Sequence, residues 1–482
     1  MLAVLNVLGS MLMLFSATYL LPMVTSVIYR DGLLVDFVYA AVLSAGTGAL
    51  VYGGTLKHRR ELRSRDGFLL VTLAWVLMSA IATVPIMLAL PGLSFTDAFF
   101  EAMSGLTTTG STVLTGLDTM APSLNMWRAS MHWFGGMGII VLAVAILPLL
   151  GVGGMQLYKA ETPGAVKNEK LTPRITQTAK ALWVVYVLIT GACILALKAA
   201  GMSWFDAVFH SFSTVALGGF SNYDASVGHF DSLAIELVII GFMLVAAMNF
   251  ARHFIAWQQK SLRTYLTDVE AIAMLRLLAI SVLVVSVFVW HSDVYPDYPT
   301  ALRHVAFNLV SIASTTGFAT QDYASWPVFA AMILVLLSCY VCNTGSTGGG
   351  IKMFRTLVLS RQAMRELWLR VHPQAVTPVK IRHQVVANHV VFAVLAFVVL
   401  YFGTVVTMTF LLLASGLDFV SAFSAVVASV NNMGPGLGVV GPASNYQGLT
   451  DFQTWVCSAT MLLGRLEIFS VLVLLTPAYW RK

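Results

Sequence analysis

The sequence predicts an all-α membrane protein of ten transmembrane helices, arranged as an N-terminal pair followed by four M1-P-M2 repeats in which P is a short re-entrant segment. Three observations predict this class. Of the 482 residues, 58% are hydrophobic and 10% charged, whereas a soluble domain carries about 25% charged residues. Ten apolar stretches reach the ~20 residues a helix needs to cross a bilayer: 3–28, 33–55, 68–90, 125–150, 181–200, 232–257, 272–291, 327–358, 386–414 and 452–476. Between them, a short amphipathic segment followed by a polar, glycine-bearing one recurs four times.

Residues 1–66 hold the first pair of helices. The run Met1–Ile28 has no basic segment before it and is too long for a signal-peptide core, so it reads as a retained span. The repeats follow at 67–158, 159–260, 261–370 and 371–482. The cysteines Cys193, Cys339, Cys342 and Cys457 lie in or beside apolar runs, at spacings that fit neither a zinc site nor a disulfide framework. They read as core residues.

The net charge of +6 is a topology signal. Lys and Arg cluster in 57–65 (five), 159–180 (five), 252–276 (four), 352–382 (seven) and the terminal pair, 23 of the 28 in all. With ten spans these segments share one side, which the positive-inside rule makes cytoplasmic, with both termini there. Nucleic acid is not expected as a partner; the lipid bilayer is. The opposite side collects Asp31, Asp97, Glu101, Asp118, Asp206, Asp224, Asp231, Asp293, Asp297, Asp322, Asp418 and Asp451. Individually these read as loop charges. As a set they favour a cation.

The repeated segments are "FTDAFFEAMSGLTTTGST" (95–112), "WFDAVFHSFSTVALGGFS" (204–221), "LRHVAFNLVSIASTTGFAT" (302–320) and "LDFVSAFSAVVASVNNMGPG" (417–436). The distance from Phe100 to Gly110, Phe209 to Gly219 and Phe307 to Gly317 is 10 residues, and from Phe423 to Gly434 it is 11. A helix of about ten residues rises ~15 Å, half of the ~30 Å hydrocarbon core. Irregular backbone at that depth is tolerated only where protein buries it or water reaches it. Four such hairpins meeting at one axis make a pseudo-fourfold pore. Its ring of carbonyls replaces the hydration shell of K⁺, and helix C-termini pointing inward also favour a cation. Four ordinary polar loops in a transporter are the plainer alternative.

Two further features lie in spans. Asn343–Gly350, within "CNTGSTGGGIKMFR", interrupts an apolar stretch. Gly348, Gly349 and Gly350 each weaken a helix by about 1 kcal/mol relative to Ala, so the span is predicted to break there; close helix packing through small residues is the other reading. Arg465, in "LLGRLEIFSVLVLL", costs at least ~2.5 kcal/mol inside a span and is a functional candidate by default; the other reading is a structural arginine that holds the fourth repeat. On a continuous helix Glu467 would point elsewhere. Asn249, Arg252 and His253 read as the cytoplasmic end of a span, His132 and Trp133 as an interface anchor and helix packing, and Lys198, Arg128 and Arg303 as outer anchors or acid partners.

The motifs "TTTGST", "GGFS", "STTGF", "NNMGPGLG", "NTGSTGGGIKMFR" and "GRLEIFSVLVLLTPAYWR" resemble those of the Trk/Ktr/HKT superfamily of potassium transporters. Within it the chain is similar, over nearly its whole length, to the bacterial TrkH-type K⁺ uptake subunit. The resemblance implies a K⁺ selectivity filter with glycines Gly110, Gly219, Gly317 and Gly434. Ion-facing carbonyls come from these and from Thr108, Thr109, Leu217, Gly218, Thr315, Thr316, Asn432 and Met433. It implies an intramembrane gate at Gly345, Ser346, Thr347, Gly348 and Gly349, with Arg465 facing the pore beside it. It implies a homodimer in the bacterial cytoplasmic (inner) membrane, opened by a cytosolic nucleotide-binding regulatory subunit of the TrkA type. Gly110, where sodium-admitting members carry Ser, favours K⁺.

Permeation needs no catalytic group, and the sequence has no GxSxG, HExxH or phosphate-loop signature. Neither enzyme activity nor a cofactor beyond the transported K⁺ is expected. The alternatives are a Na⁺-dependent Ktr-type subunit and a small-solute transporter built on inverted repeats. The second requires repeats of opposite topology, whereas these four run the same way.

Overall fold

The computed structural model describes residues 1–60, 62–141, 171–382 and 384–481. Most of the basic segment 159–180 and the end of the expected span 125–150 lie outside the described residues. Among the described residues, six helices are long and apolar enough to cross a membrane, or eight if each of two sharply bent pairs counts as one span.

The N-terminal pair comprises α1 (Leu2–Phe15), joined by a 3₁₀ turn to α2 (Leu20–Tyr29), and α3 (Leu34–Thr55). Polar atoms clamp this hairpin where water is scarce: Asn6 Nδ2 donates to Thr55 Oγ1 at 3.1 Å and Ser44 Oγ to Leu12 O at 2.9 Å. Of the four stretches expected as repeats, the first holds α4 (Ser64–Ala89), α5 (Phe95–Leu106) and α6 (Pro122–Val141). The second is α7 (Leu171–Ala199), α8 (Trp204–Ala216), α9 (Leu233–Ala247) and α10 (Phe250–Gln259). The third is α11 (Val269–His291), α12 (Tyr298–Ala313), α13 (Val328–Ser338) and α14 (Met353–Val371). A two-stranded hairpin, β1 (Lys380–Ile381) and β2 (Gln384–Val385), leads to the fourth: α15 (Asn388–Ala414), α16 (Phe419–Asn431), α17 (Asp451–Arg465) and α18 (Phe469–Leu472).

Two stretches expected as continuous spans are broken. Between α9 and α10 the axis turns by 96°, because Met248 is extended and the Asn249 side chain caps α10 by accepting from Ala251 N. After α17 it turns by 107°, because Glu467 (φ 55°) and Ile468 (φ 54°) are left-handed. Apolar length carries no signal for such kinks. In the stretch 327–358, helix stops at Ser338 and resumes at Met353, so the break begins before Asn343.

The short helices α5, α8, α12 and α16 have a common start. Ser94, Ser203, Asp297 and Asp418 each accept a hydrogen bond from the backbone N–H three residues on, at 3.1, 3.0, 2.9 and 3.0 Å. Such a cap stabilises a helix by about 1 kcal/mol. Several of the acids expected to attract a cation therefore shape the protein itself, Asp297 and Asp418 as caps. Asp224 accepts from Gly116 N and Leu117 N, and Arg303 pairs with Asp231 and Glu236.

Candidate functional site

Each short helix ends in a turn of the same backbone shape. Thr108, Leu217, Thr315 and Asn432 have φ of 52°, 54°, 60° and 53°, and the glycines two residues on, Gly110, Gly219, Gly317 and Gly434, have φ of 86°, 82°, 90° and 94°. A left-handed threonine or leucine is unfavourable by about 1–3 kcal/mol and persists where surrounding structure imposes it. All twelve residues expected at the filter fall in these four windows, 108–110, 217–219, 315–317 and 432–434.

The turns are neighbours in cyclic order. An ideal Cβ on Gly110 would lie 2.0 Å from Gly218 O, one on Gly219 2.1 Å from Thr316 O, one on Gly317 2.2 Å from Met433 O, and one on Gly434 2.9 Å from Thr109 O. Each glycine is therefore the surface against which the next repeat's backbone rests, and the last contact returns to the first repeat. Side chains reinforce the junction of repeats one and four: Asn432 Nδ2 donates to Thr109 Oγ1 at 3.0 Å and Ser111 Oγ to Gly434 O at 2.9 Å. Tyr446 Oη also donates to Gly434 O, at 2.9 Å.

A cavity of about 80 Å³ follows the turns, lined by residues of all four repeats, among them Gly110, Gly219, Gly317 and Pro435. Its wall is held by a buried ion pair. Arg128 Nε donates to Glu101 Oε1 at 2.8 Å, and neither side chain is exposed (0%/0%). Glu101 also accepts from Thr112 Oγ1 and Val113 N, while Arg128 Nη1 donates to Ser221 O at 2.8 Å. The pair thus ties the chain after the first turn to the chain after the second. Arg128 was expected as an anchor or acid partner; its partner Glu101 is a member of the set assigned to loop charge, and instead lies neutralised in the core. His132 is corrected as well. It is fully buried, with Nδ1 3.0 Å from Ser213 Oγ and its ring stacked on Phe220, because the turn of α8 closes over it.

On the other side of the turns lies the loop between α13 and α14. It touches both the ends of the short helices and the third turn itself: Thr347 Oγ1 donates to Val215 O at 3.2 Å, Gly349 N to Thr315 Oγ1 at 3.0 Å, and a Cβ on Gly349 would lie 1.8 Å from Asn431 O. Gly345 O accepts from Phe250 N at 3.1 Å, so the kink between α9 and α10 receives the loop. Arg465, the last residue of α17, donates to Thr347 O at 2.8 Å and to Gly135 O at 3.0 Å. The five residues 345–349 and Arg465 are therefore brought together, at the junction of all four repeats.

Sequence reasoning missed the charges under this loop. Glu467 lies in the helix break and accepts from Arg355 Nη2 at 2.5 Å, rather than pointing away from a continuous helix. Lys352 Nζ donates to Gly348 O. Arg355 also stacks over Phe397 at 4.0 Å. Lys352 and Arg355 stood in the quoted motif, yet only their return toward the loop reveals a role. Several buried polar atoms in or beside the turns and the loop have no partner among the described residues: Thr108 Oγ1, Thr214 Oγ1, Asn432 Oδ1 and both amide atoms of Asn343. Buried groups of this kind call for a polar guest such as water or an ion.

The model of the TrkH family, described as a cation transport protein, matches residues 37–482. The chain belongs to the TrkH family. It is 47% identical over 99% of its length to the Trk system potassium uptake protein TrkH of Halomonas elongata, covering 99% of that protein. It is 43% identical over its whole length to the protein of that name from Escherichia coli strain K12, covering 99% of it. The crystal structure of the potassium transporter TrkH from Vibrio parahaemolyticus superposes with a TM-score of 0.92 at 43% identity, covering 100% of this chain and 99% of that one. The assignment to a multi-pass membrane protein of the TrkH family therefore stands on sequence and fold alike.

Proposed function

We propose that this TrkH-family chain takes up K⁺ across the bacterial cytoplasmic membrane, as a channel-like pore of ten spans with both termini cytoplasmic. The observation that carries this reading is the cycle of four left-handed turns, one per repeat, each resting on the backbone of the next. Left-handed residues two positions apart in each turn expose backbone carbonyls at the junction, and a ring of such carbonyls coordinates a dehydrated K⁺. Gly434 O already accepts from Ser111 and Tyr446, so in the fourth repeat Asn432 and Met433 supply the better oxygens. The orphaned polar atoms of Thr108, Asn343 and Asn432 suit a hydrated ion. The names of the relatives, potassium uptake proteins and a potassium transporter, support the same cation.

In this reading the loop 345–349 is the gate and Arg465 its electrostatic partner. A positive charge held at a loop carbonyl beneath the ring both fixes the loop and repels a waiting cation. Opening falls to a cytosolic nucleotide-binding subunit of the TrkA type, and the pore works as a homodimer. A membrane potential of 100 mV contributes about 2.3 kcal/mol per charge to inward flow.

The test is a cation series on purified protein in liposomes. K⁺ and Rb⁺ fluxes are expected to exceed Na⁺ and Li⁺ by about tenfold or more, a difference of about 1.4 kcal/mol in the barrier; equal fluxes would remove the filter assignment. Gly110→Ser sharpens it. The new Cβ meets Gly218 O at 2.0 Å on a left-handed backbone, so that carbonyl must move. The K⁺ over Na⁺ ratio is expected to fall toward one, measured by isotope flux.

A further inference from the structure

Glu270 belongs to none of the sites described above. It lies in the first turn of α11, where Asp268 caps the helix by accepting from its N–H at 3.0 Å. Its side chain turns away from that cap. Glu270 Oε2 accepts from Thr344 N at 2.8 Å, 74 residues along the chain. The neighbours of Thr344 are fastened to the opposite side. Asn343 N donates to Ala247 O at 3.0 Å, and Gly345 O accepts from Phe250 N at 3.1 Å. The stem of the loop is thus stitched to the kinked helix of the second repeat on one flank and to a single carboxylate of the third on the other. Both side-chain amide atoms of Asn343 lack a partner among the described residues, so that side chain adds no fastening of its own.

We propose that Glu270 is a positioning residue for the loop 343–350: its carboxylate holds the Thr344 amide and thereby keeps the loop seated beneath the four turns. The proposal rests on the reading of that loop as the gate. The chemistry is asymmetric in a useful way. A carboxylate accepts more strongly from a backbone N–H than a neutral oxygen does, and it must reach. Removing the acceptor leaves the Thr344 amide to find another partner, which favours an unseated loop.

Two conservative variants, one shorter and one isosteric but uncharged, separate reach from charge. Glu270→Asp keeps the charge but withdraws the oxygens by about 1.5 Å, one carbon–carbon bond. Glu270→Gln keeps an oxygen at the original reach. Rb⁺ flux into liposomes, without any cytosolic partner, is the readout, alongside the K⁺ over Na⁺ ratio and a version lacking 345–349. We expect Glu270→Asp to raise basal flux about tenfold, as loss of one charge-assisted hydrogen bond allows, and Glu270→Gln to raise it less than about threefold. The cation ratio is expected to stay unchanged in both, because the turns are untouched; a general loosening of the fold would lower it. In the version lacking 345–349, Glu270→Asp is expected to add nothing. The proposal falls if Glu270→Asp leaves flux unchanged while the deletion raises it, if Glu270→Gln outdoes Glu270→Asp, or if the effects of deletion and substitution add. Should the deletion itself leave flux unchanged, the gate reading falls and takes this proposal with it.

Discussion

Removing residues 345–349 is expected to give K⁺ flux that needs no activator, with an open fraction about a hundredfold above that of the intact chain. The magnitude follows from what holds the loop. Gly345 O accepts from Phe250 N, Thr347 Oγ1 donates to Val215 O, Thr347 O accepts from Arg465, Gly349 N donates to Thr315 Oγ1, and Lys352 donates to Gly348 O. Each bond contributes about 0.5–1.5 kcal/mol, so together they are comparable to the ~5.5 kcal/mol that moves a two-state equilibrium from 1:99 to 99:1. Isotope uptake by liposomes holding the purified deletion protein measures this directly. The ring of turns is left intact, so the K⁺ preference should survive. Flux equal to that of the intact chain would refute the assignment of this loop as an obstruction.

Arg128→Met is expected to be the most damaging single side-chain substitution near the cavity. It leaves the Glu101 carboxylate buried with only the hydroxyl and amide of Thr112 and Val113 as partners. Breaking a buried ion pair in this way costs about 3–5 kcal/mol, a large part of the ~5–15 kcal/mol that stabilises a typical folded protein. Ser221 O loses its donor at the same time, so the second turn loses its brace. Thermal unfolding followed by size-exclusion chromatography should show a markedly lower midpoint, with K⁺ uptake reduced in whatever protein remains folded. Combining it with Glu101→Gln removes the stranded charge and is expected to restore more than half of the lost stability. If the double variant is no better than the single one, charge burial is not what makes the site sensitive.

The sequence was most legible where a local rule demands a local residue. Short helices inside a membrane need a cap and an exit, and Ser94, Ser203, Asp297 and Asp418 with the four glycine turns mark both ends. The glycines Gly110, Gly219, Gly317 and Gly434 could be found from spacing because each turn needs a positive φ that glycine adopts freely, whereas Thr108, Leu217 and Thr315 take it only because the surrounding structure imposes it. Kinks were not legible. Mean apolarity carries the stretches 232–257 and 452–476 across Met248 and Ile468, and the bends come instead from the extended Met248 with the Asn249 cap and from the positive φ of Glu467 and Ile468. The charged residues misled for a related reason. Glu101 reads like its exposed neighbours, and only the approach of Arg128, 27 residues later, places it in the core. Nothing in the sequence marks Glu270, and a continuous helix turns Glu467 elsewhere, because their partners, Thr344 and Arg355, lie 74 and 112 residues away.

Sequence alone determined the class: a chain with so few charges and so many apolar stretches must sit in lipid, and four recurring polar interruptions must be sheltered there. Those conclusions follow from solvation, which acts on each segment separately. Tertiary structure alone decided the cyclic order of the turns, the seat of the loop between the helix ends and Arg465, and which carboxylate neutralises which guanidinium. These depend on contacts between residues as far apart as Ser111 and Gly434, 323 positions along the chain. Such a contact has no signature in either segment, because each is compatible with many partners until packing selects one.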